Sequence, residues 1–428
     1  MPLGSDKADV RMRGFPKLAS VAEASNKFHQ QVRIERLQAE TVPTLQTLGR
    51  VLAEDIVSQR DVPPFNRSAV DGYALQAQDT FGCSQTNPVV LQVVGSSSIG
   101  TMPSVTAGRQ QAVRIATGAP IPEGCDAVVM LEFAEVTQIG KIEVYRPVTP
   151  GENVSLQGED VRKGDLILRS GMLVKSQDVG IMAALNMHEV KVTRRPRVGV
   201  LSTGDELVDL GGDLSDGKIV DSNRPTILSM VVSAGGQPVD LGIAADEEGE
   251  IAGKLSLGIA DCDIVLASGG TSVGERDLLP SVVNSLGSPG VIVHGVAMRP
   301  GRPVALGALQ GKPVILLPGF PVAAMIAFDV FVHPVMNRLL GVVASLPSPY
   351  LRARALRRVA SSLGNRTFAR VIVRRLGGEY VFEPLRTSGS GIISSMVRAS
   401  GMVTIPENKE GIEEGEIVEV MLMRPVEG

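Results

Sequence analysis

The sequence has no tryptophan and only 3% aromatic residues, which argues against the stacking platforms that single-stranded nucleic acid requires. A formal net charge of -4 with no long run of like charge removes the electrostatic footprint of a nucleic-acid binder as well. Three cysteines, Cys83, Cys125 and Cys262, lie too far apart for a disulfide framework or a zinc site, and a reducing cytoplasm is the expected setting. The first residues lack the apolar core of a signal peptide, and "MPLGS" reads as an expression scar. No Gly-Lys-Ser/Thr follows a glycine loop, so there is no P-loop. Nor do His29, His188, His294 and His333 have a serine or cysteine in a nucleophile elbow. The longest apolar region, "PVILLPGFPVAAMIAFDVFVHPV", is broken by Pro318, Gly319, Pro321 and Asp329; it predicts a buried strand, a turn and a buried helix, not a membrane span.

What is present is a chain of 428 residues, long enough for two to four domains, with 43% hydrophobic residues and 47 glycines that imply many turns. "SVAE" at Ser20 to Glu23 forms a capping box, and Val21, Ala24, Phe28 and Val32 recur at helical spacing behind it. Residues 12–48 and 150–194 are expected to pack together as one elongated domain of helices and strands. Between them, residues 49–149 alternate short β-rich runs with Gly and Pro clusters, the pattern of a small inserted β domain. Residues 195–343 repeat strand, turn and helix, which predicts an α/β domain with a parallel sheet covered on both faces. Residues 344–428 return to period-two alternation and are expected to form a β-barrel.

The α/β region places four functional-looking turns directly after predicted strands: Ser202-Thr203-Gly204-Asp205-Glu206, Ala245-Asp246, Ser268 to Asp277, and Pro318-Gly319-Phe320-Pro321. Parallel strands share one C-terminal edge, where open α/β sheets bind their ligands. Glycine and serine donors there suit phosphate, whereas Asp205, Glu206, Asp246 and Asp277 would repel it unless a divalent cation bridged the two. Each acid taken singly is equally a solvated helix-start residue. Farther on, "MRPGRP" holds Arg299 and Arg302 around Pro300 and a glycine, a pair of guanidinium forks suited to an oxyanion or to a surface loop. Residues 351 to 378 carry eight arginines and no acid, again an anion site or an exposed strand face. Residue chemistry alone thus leads to a metal-assisted site for an anionic or phosphorylated small molecule.

Nine segments in order resemble the molybdopterin molybdenumtransferase family, which comprises the bacterial MoeA and gephyrin E-domain proteins. They are "DVPPFNRSAVDGYAL", "IATGAPIPEGCDAVVMLE", "GENVSLQGEDVRKGDLIL", "STGDEL", "GKIVDSNRPTI", "SGGTSVGERD", "RPGRPVALG", "LPGFPVAAM" and "GSGIISSMVRASGMVTIPE". The resemblance implies Mg2+-dependent insertion of molybdate into adenylylated molybdopterin, with release of molybdenum cofactor and AMP. It places Asp277, Asp246 and Glu206 at the cation. Thr203, Gly204, Asp205, Ser268, Gly269, Gly270, Ser272 and Gly274 fall on the substrate, with Pro318 and Gly319. Arg299, Pro300 and Arg302, where lysines are usual, fall at molybdate, with Arg370 and Ser395 from the C-terminal domain. It further implies a homodimer in which Asp71, Thr117 and Asp160 act on the partner's crevice; Asn66 departs from the acid common at its position. A scaffold of the gephyrin type and a tungstate-handling paralogue are the alternatives.

Overall fold

The computed structural model describes residues 18–215, 217–269, 278–343, 349–385 and 391–426. By packing, the chain forms two compact units. One contains Thr41–Leu48 and Glu54–Lys191; the other contains the described residues up to Glu40, Gly49–Ala53, and those from Val192 onward.

The first of these units is built on a six-stranded sheet. Its strands run in the order Ala127–Met130, Gly72–Leu75, Gln111–Ile115, Val89–Ser97, Lys141–Val144, Ala134–Gln138. All neighbours are antiparallel except Val89–Ser97 with Gln111–Ile115. Tyr73, Leu75, Leu91, Val129, Ile142 and Val144 close the core on one face. In the same unit the helix Ser176–Ala184 starts where Asp178 Oδ2 accepts from the Lys175 backbone N–H at 2.8 Å.

The other unit centres on a second six-stranded sheet. In spatial order its strands are Gln237–Ala244, Arg197–Thr203, Ile264–Ser268, Lys312–Leu317, Ala305–Leu309 and Pro289–His294. The first four are parallel, and the last two pairings, Lys312–Leu317 with Ala305–Leu309 and Ala305–Leu309 with Pro289–His294, are antiparallel. The change of direction has a local cause. Gln310 (φ 52°) and Gly311 (φ 77°) form a two-residue turn with both residues left-handed, and such a turn can join only antiparallel neighbours.

Side chains along the parallel strands alternate between two cores. Val198, Val200, Ile264, Leu266, Ile315 and Leu317 face one way, against Ile227 and Val231 of the helix Asn223–Ser233. Leu201, Val265, Ala267, Val314 and Leu316 face the other, against Ile251 and Leu255 of Glu248–Asp261 and Leu279 and Val283 of Leu278–Leu286. Two buried faces explain why these strands read as continuous apolar runs. The apolar region after Pro313 belongs here too: Val322, Ile326, Phe328, Phe331 and Val335 are all buried in the first core. The helix Pro321–Leu340 has the length and hydropathy of a membrane span, but most of its apolar surface is used inside the fold.

The N-terminal helix corrects one boundary. Val21–Gln31 is capped as expected, with Glu23 N–H donating to Ser20 Oγ at 3.2 Å and Ser20 N–H to Glu23 Oε2 at 2.9 Å. Its apolar face of Val21, Ala24, Phe28 and Val32 joins the α/β core, not a domain shared with residues 150–194. Helical spacing identifies an apolar stripe but not the surface that the stripe will cover.

The C-terminal part is a closed barrel of five strands. Arg366–Leu376, Glu379–Pro384, Tyr350–Ala355, Ile417–Leu422 and Gly401–Ile405 pair in that order, and Gly401–Ile405 pairs back onto Arg366–Leu376. Ala353, Val371, Val373, Phe382, Val403 and Val420 fill it.

Candidate active site at the strand ends

The four parallel strands end beside one another, and a cavity of about 620 Å³ lies there. Its lining comes from each strand end in turn: Thr203, Gly204 and Glu206; Asp246; Ser268 and Gly269; Pro318, Gly319, Phe320 and Pro321. Eight residues expected at the substrate or cation are therefore brought together: Thr203, Gly204, Glu206, Asp246, Ser268, Gly269, Pro318 and Gly319. Asp205, which is exposed, does not line the cavity; its Oδ1 accepts from the Asp246 backbone N–H at 3.0 Å and its carbonyl from Lys218 Nζ at 2.5 Å. Gly270, Ser272, Gly274 and Asp277 lie outside the described residues.

Close backbone approach makes Gly269 obligatory. Its φ is +115°, and a Cβ there would lie 2.2 Å from the Thr203 carbonyl oxygen and 2.7 Å from Thr203 Oγ1. Ser202 and Ser268 meet beneath this turn, Oγ to Oγ at 3.2 Å. The carboxylate of Glu206 folds back over Gly204, within 2.7 Å of where a side chain would begin.

Several residues of the cavity wall were not singled out from the sequence. Asp221, Ser222 and Asn223 lead into the helix Asn223–Ser233 and line the cavity with Leu207, Ile219, Val220, Pro303, Gly391 and Ile393. Asp221 Oδ1 accepts from the Asn223 and Arg224 N–H groups at 3.0 and 3.1 Å and so caps the helix. Arg224 locks that carboxylate from the side. Its Nε donates to Asp221 Oδ2 at 3.2 Å, its Nη1 to both oxygens of Asp240 at 2.6 Å, and its Nη2 to Asp209. Burial alone would lower the Arg224 pKa; hydrogen bonds to Asp240 and Asp221 more than offset it and hold the guanidinium above its ordinary value. The "DSNRP" run was visible in the sequence, but its only local signal is that of a helix start.

Among the described residues two oxygens on this wall have no hydrogen-bond partner, Thr203 Oγ1 and Asn223 Oδ1, in residues only 2% and 8% exposed. Leaving a buried polar atom unpaired costs about 1–3 kcal/mol, a cost that a ligand relieves. The cavity also suits a hard cation. Glu206 and Asp246 offer carboxylate oxygens, the donor type Mg2+ prefers, and Mg2+ takes one or two protein carboxylates and completes its shell with phosphate and water. Among the described residues no group of three His, Cys, Asp or Glu side chains is arranged to hold a metal without such help.

The basic elements behave differently. Arg299, Pro300 and Arg302 do not line the cavity, although Pro303 does. Their turn is stitched to the barrel: Met298–Arg299 pairs in parallel with Arg366 and Thr367, and Arg302 Nη2 donates to Asn365 Oδ1 at 3.1 Å. Among the described residues Arg354 pairs with Glu379, Arg358 with Glu413, Arg366 with Glu407 and Arg374 with Glu383. Arg370 differs from these in being 8% exposed, and burial lowers its pKa. Ser395 donates its Oγ to the Ile392 carbonyl at 2.6 Å, in the segment whose Gly391 and Ile393 reach the cavity.

Asp71, Thr117 and Asp160 belong to the other unit. The structure joins the first two, since Thr117 N–H donates to Asp71 Oδ1 at 2.8 Å. Asp160 is exposed, its N–H bonded to the Val62 carbonyl at 3.1 Å. Asn66 has a structural task without charge, accepting from the Gln157 N–H at 2.8 Å.

Comparison with known proteins matches most of the chain. Residues 19–186 match the family model "MoeA N-terminal region (domain I and II)", residues 199–338 "Probable molybdopterin binding domain", and residues 352–423 "MoeA C-terminal region (domain IV)". The molybdopterin molybdenumtransferase of Bacillus subtilis is 33% identical, over 91% of this chain and 91% of that protein. That of Haemophilus influenzae is 32% identical, over 94% and 98%. A crystal structure of the molybdopterin biosynthesis MoeA protein of Pyrococcus horikoshii superposes with a TM-score of 0.81 at 33% identity, covering 95% of this chain and 100% of that one.

Proposed function

We propose a reaction for this chain from the premise that it belongs to the MoeA family and is a molybdopterin molybdenumtransferase, an enzyme of molybdenum cofactor biosynthesis. The substrates in this reading are adenylylated molybdopterin and molybdate, and the products are molybdenum cofactor and AMP. The observation that carries it is the convergence of eight sequence-named residues, from four strand ends, on one cavity.

Within the cavity the glycine backbones at Gly204 and Gly269 let the pyrophosphate linkage approach the strand ends closely, and Ser268 and Thr203 present hydroxyls beside it. Glu206 and Asp246, with Asp277, would hold Mg2+. Bound there, the ion supplies charge neutralisation to the phosphate oxygens. Asp205 fixes the Asp246 backbone. Pro318 and Gly319 close the wall. Arg299, Pro300 and Arg302 form the molybdate-binding turn, with Arg370 and Ser395 contributing from the barrel. Asp71, Thr117 and Asp160 act on the cavity of a partner subunit in a homodimer, which accounts for their placement in a separate unit.

The domain reading accompanies this proposal, with residues 49–149 as an inserted β domain, 195–343 as the molybdopterin-binding domain and 344–428 as the barrel. A reducing cytoplasm suits the free cysteines. The pKa of the half-buried Cys125 thiol is pushed up to about 12 by desolvation and then by Asp126.

The experiment is AMP release from adenylylated molybdopterin by purified protein with Mg2+, adding molybdate or tungstate in turn. Oxyanion-dependent release is expected, and the preferred oxyanion identifies the substrate. Tight binding without release would replace the transferase reading with a scaffold. Asp277→Ala is expected to abolish release while leaving the Tm unchanged; full activity in that variant removes Asp277 from the site.

A further inference from the structure

The hydrogen bonds around the cavity do not close at Asn223. Its Nδ2 donates to the Gly319 carbonyl at 2.8 Å, and its Oδ1 has no partner among the described residues. The amide cannot be turned over, because Gly319 O can only accept and would then face a second acceptor. The orientation is rigid for a further reason. The Asn223 backbone is held by Asp221, and Asp221 is held by Arg224, all three being buried. The wall therefore carries an acceptor oriented before any ligand arrives. Next to it stand flat apolar surfaces from Pro318, Pro321 and Phe320, the last 62% exposed. A planar ring can lie against these, with its edge toward the asparagine.

We propose that Asn223 is a specificity-determining residue that accepts a hydrogen bond from a ring-borne amino group of a planar fused heterocycle packed against Phe320. The inference rests on the reading above only for the identity of the ring: adenylylated molybdopterin carries two such amino groups, one on the pterin and one on the adenine. A ring bearing an oxo group in place of the amino group sets acceptor against acceptor and is rejected. Thr203 Oγ1, the second unpaired oxygen, adapts by rotation and selects less, because a hydroxyl both donates and accepts.

The test is calorimetric binding of four probes to the full chain: AMP against IMP, and pterin against lumazine, each pair exchanging an amino for an oxo group. The amino member of one pair is expected to bind about tenfold tighter or more, and that pair identifies the ring. Asn223→Ala should bring the ratio to about one, and Asn223→Asp, which loses the donor to Gly319 and sets a carboxylate oxygen against that carbonyl, should lose the preference as well. Equal affinities within both pairs, binding of none of the four at millimolar concentration, or a preference that survives Asn223→Ala would each overturn the proposal. Should the alanine variant fail to fold, the wild-type ratio still decides. Loss of oxyanion-dependent AMP release in the wild type would sink the transferase reading and leave these ratios as a separate result.

Discussion

The α/β sheet and the C-terminal barrel of the same unit use arginine in opposite ways. In the sheet region Arg224, its side chain 7% exposed, is surrounded by Asp209, Asp221 and Asp240, and the Asp221 side chain is 1% exposed. In the barrel Arg354, Arg358 and Arg374 lie 42%, 56% and 53% exposed, each paired with one glutamate. The barrel holds the dense arginine run that suggests an anion site from sequence, whereas the buried network shapes the wall of the cavity. Burial and completeness of pairing, more than the number of charges, separate a structural or functional arginine from a solvated one.

The sharpest way to break this contrast is to remove the buried guanidinium. Arg224→Ala is expected to cost about 3–5 kcal/mol, because Asp221 would stay buried without a counter-charge. Urea denaturation measures it, and a loss below about 1 kcal/mol would make the two regions equivalent. Next comes Gly269→Ala, which places a methyl group against the Thr203 carbonyl. Turnover should fall about 100-fold as the strand ends are pushed apart. Unchanged steady-state kinetics would mean that the close approach has no catalytic consequence. A smaller effect, about tenfold, is expected in the KM for molybdate on Arg370→Met, with kcat little changed. If kcat falls and KM does not, Arg370 serves the chemistry and not the oxyanion. Arg374→Met is the smallest, within about 1 kcal/mol of wild type by thermal melting and kinetically silent. A kinetic defect there would restore the barrel run as an anion surface.

The architecture was largely legible. Alternating strand and helix patterns predicted the α/β layers, and period-two runs predicted the inserted sheet and the barrel, because hydrophobic periodicity is written residue by residue. The turn at Gln310 and Gly311, which makes one edge of the sheet antiparallel, was not read from the sequence, where only a parallel sheet was expected. The N-terminal helix was recognised by its cap and stripe, yet placed with the wrong partner. Asn223 was passed over, since nothing local distinguishes an asparagine at a helix start from one whose oxygen is left unpaired in a cavity wall.

Sequence by itself determined which residues follow a strand, where glycine relieves the backbone, and which acids stand at those turns; these depend on neighbours a few positions away. Only the tertiary structure decided that the strands beginning at Gln237, Arg197, Ile264 and Lys312 lie side by side in that order, which is not their order in the chain. It also decided that Arg370 is buried where Arg374 is exposed, and that the amide of Asn223 meets Gly319. Those outcomes rest on contacts between segments tens of residues apart. Their energies come from burial and pairing that do not exist until the chain has folded.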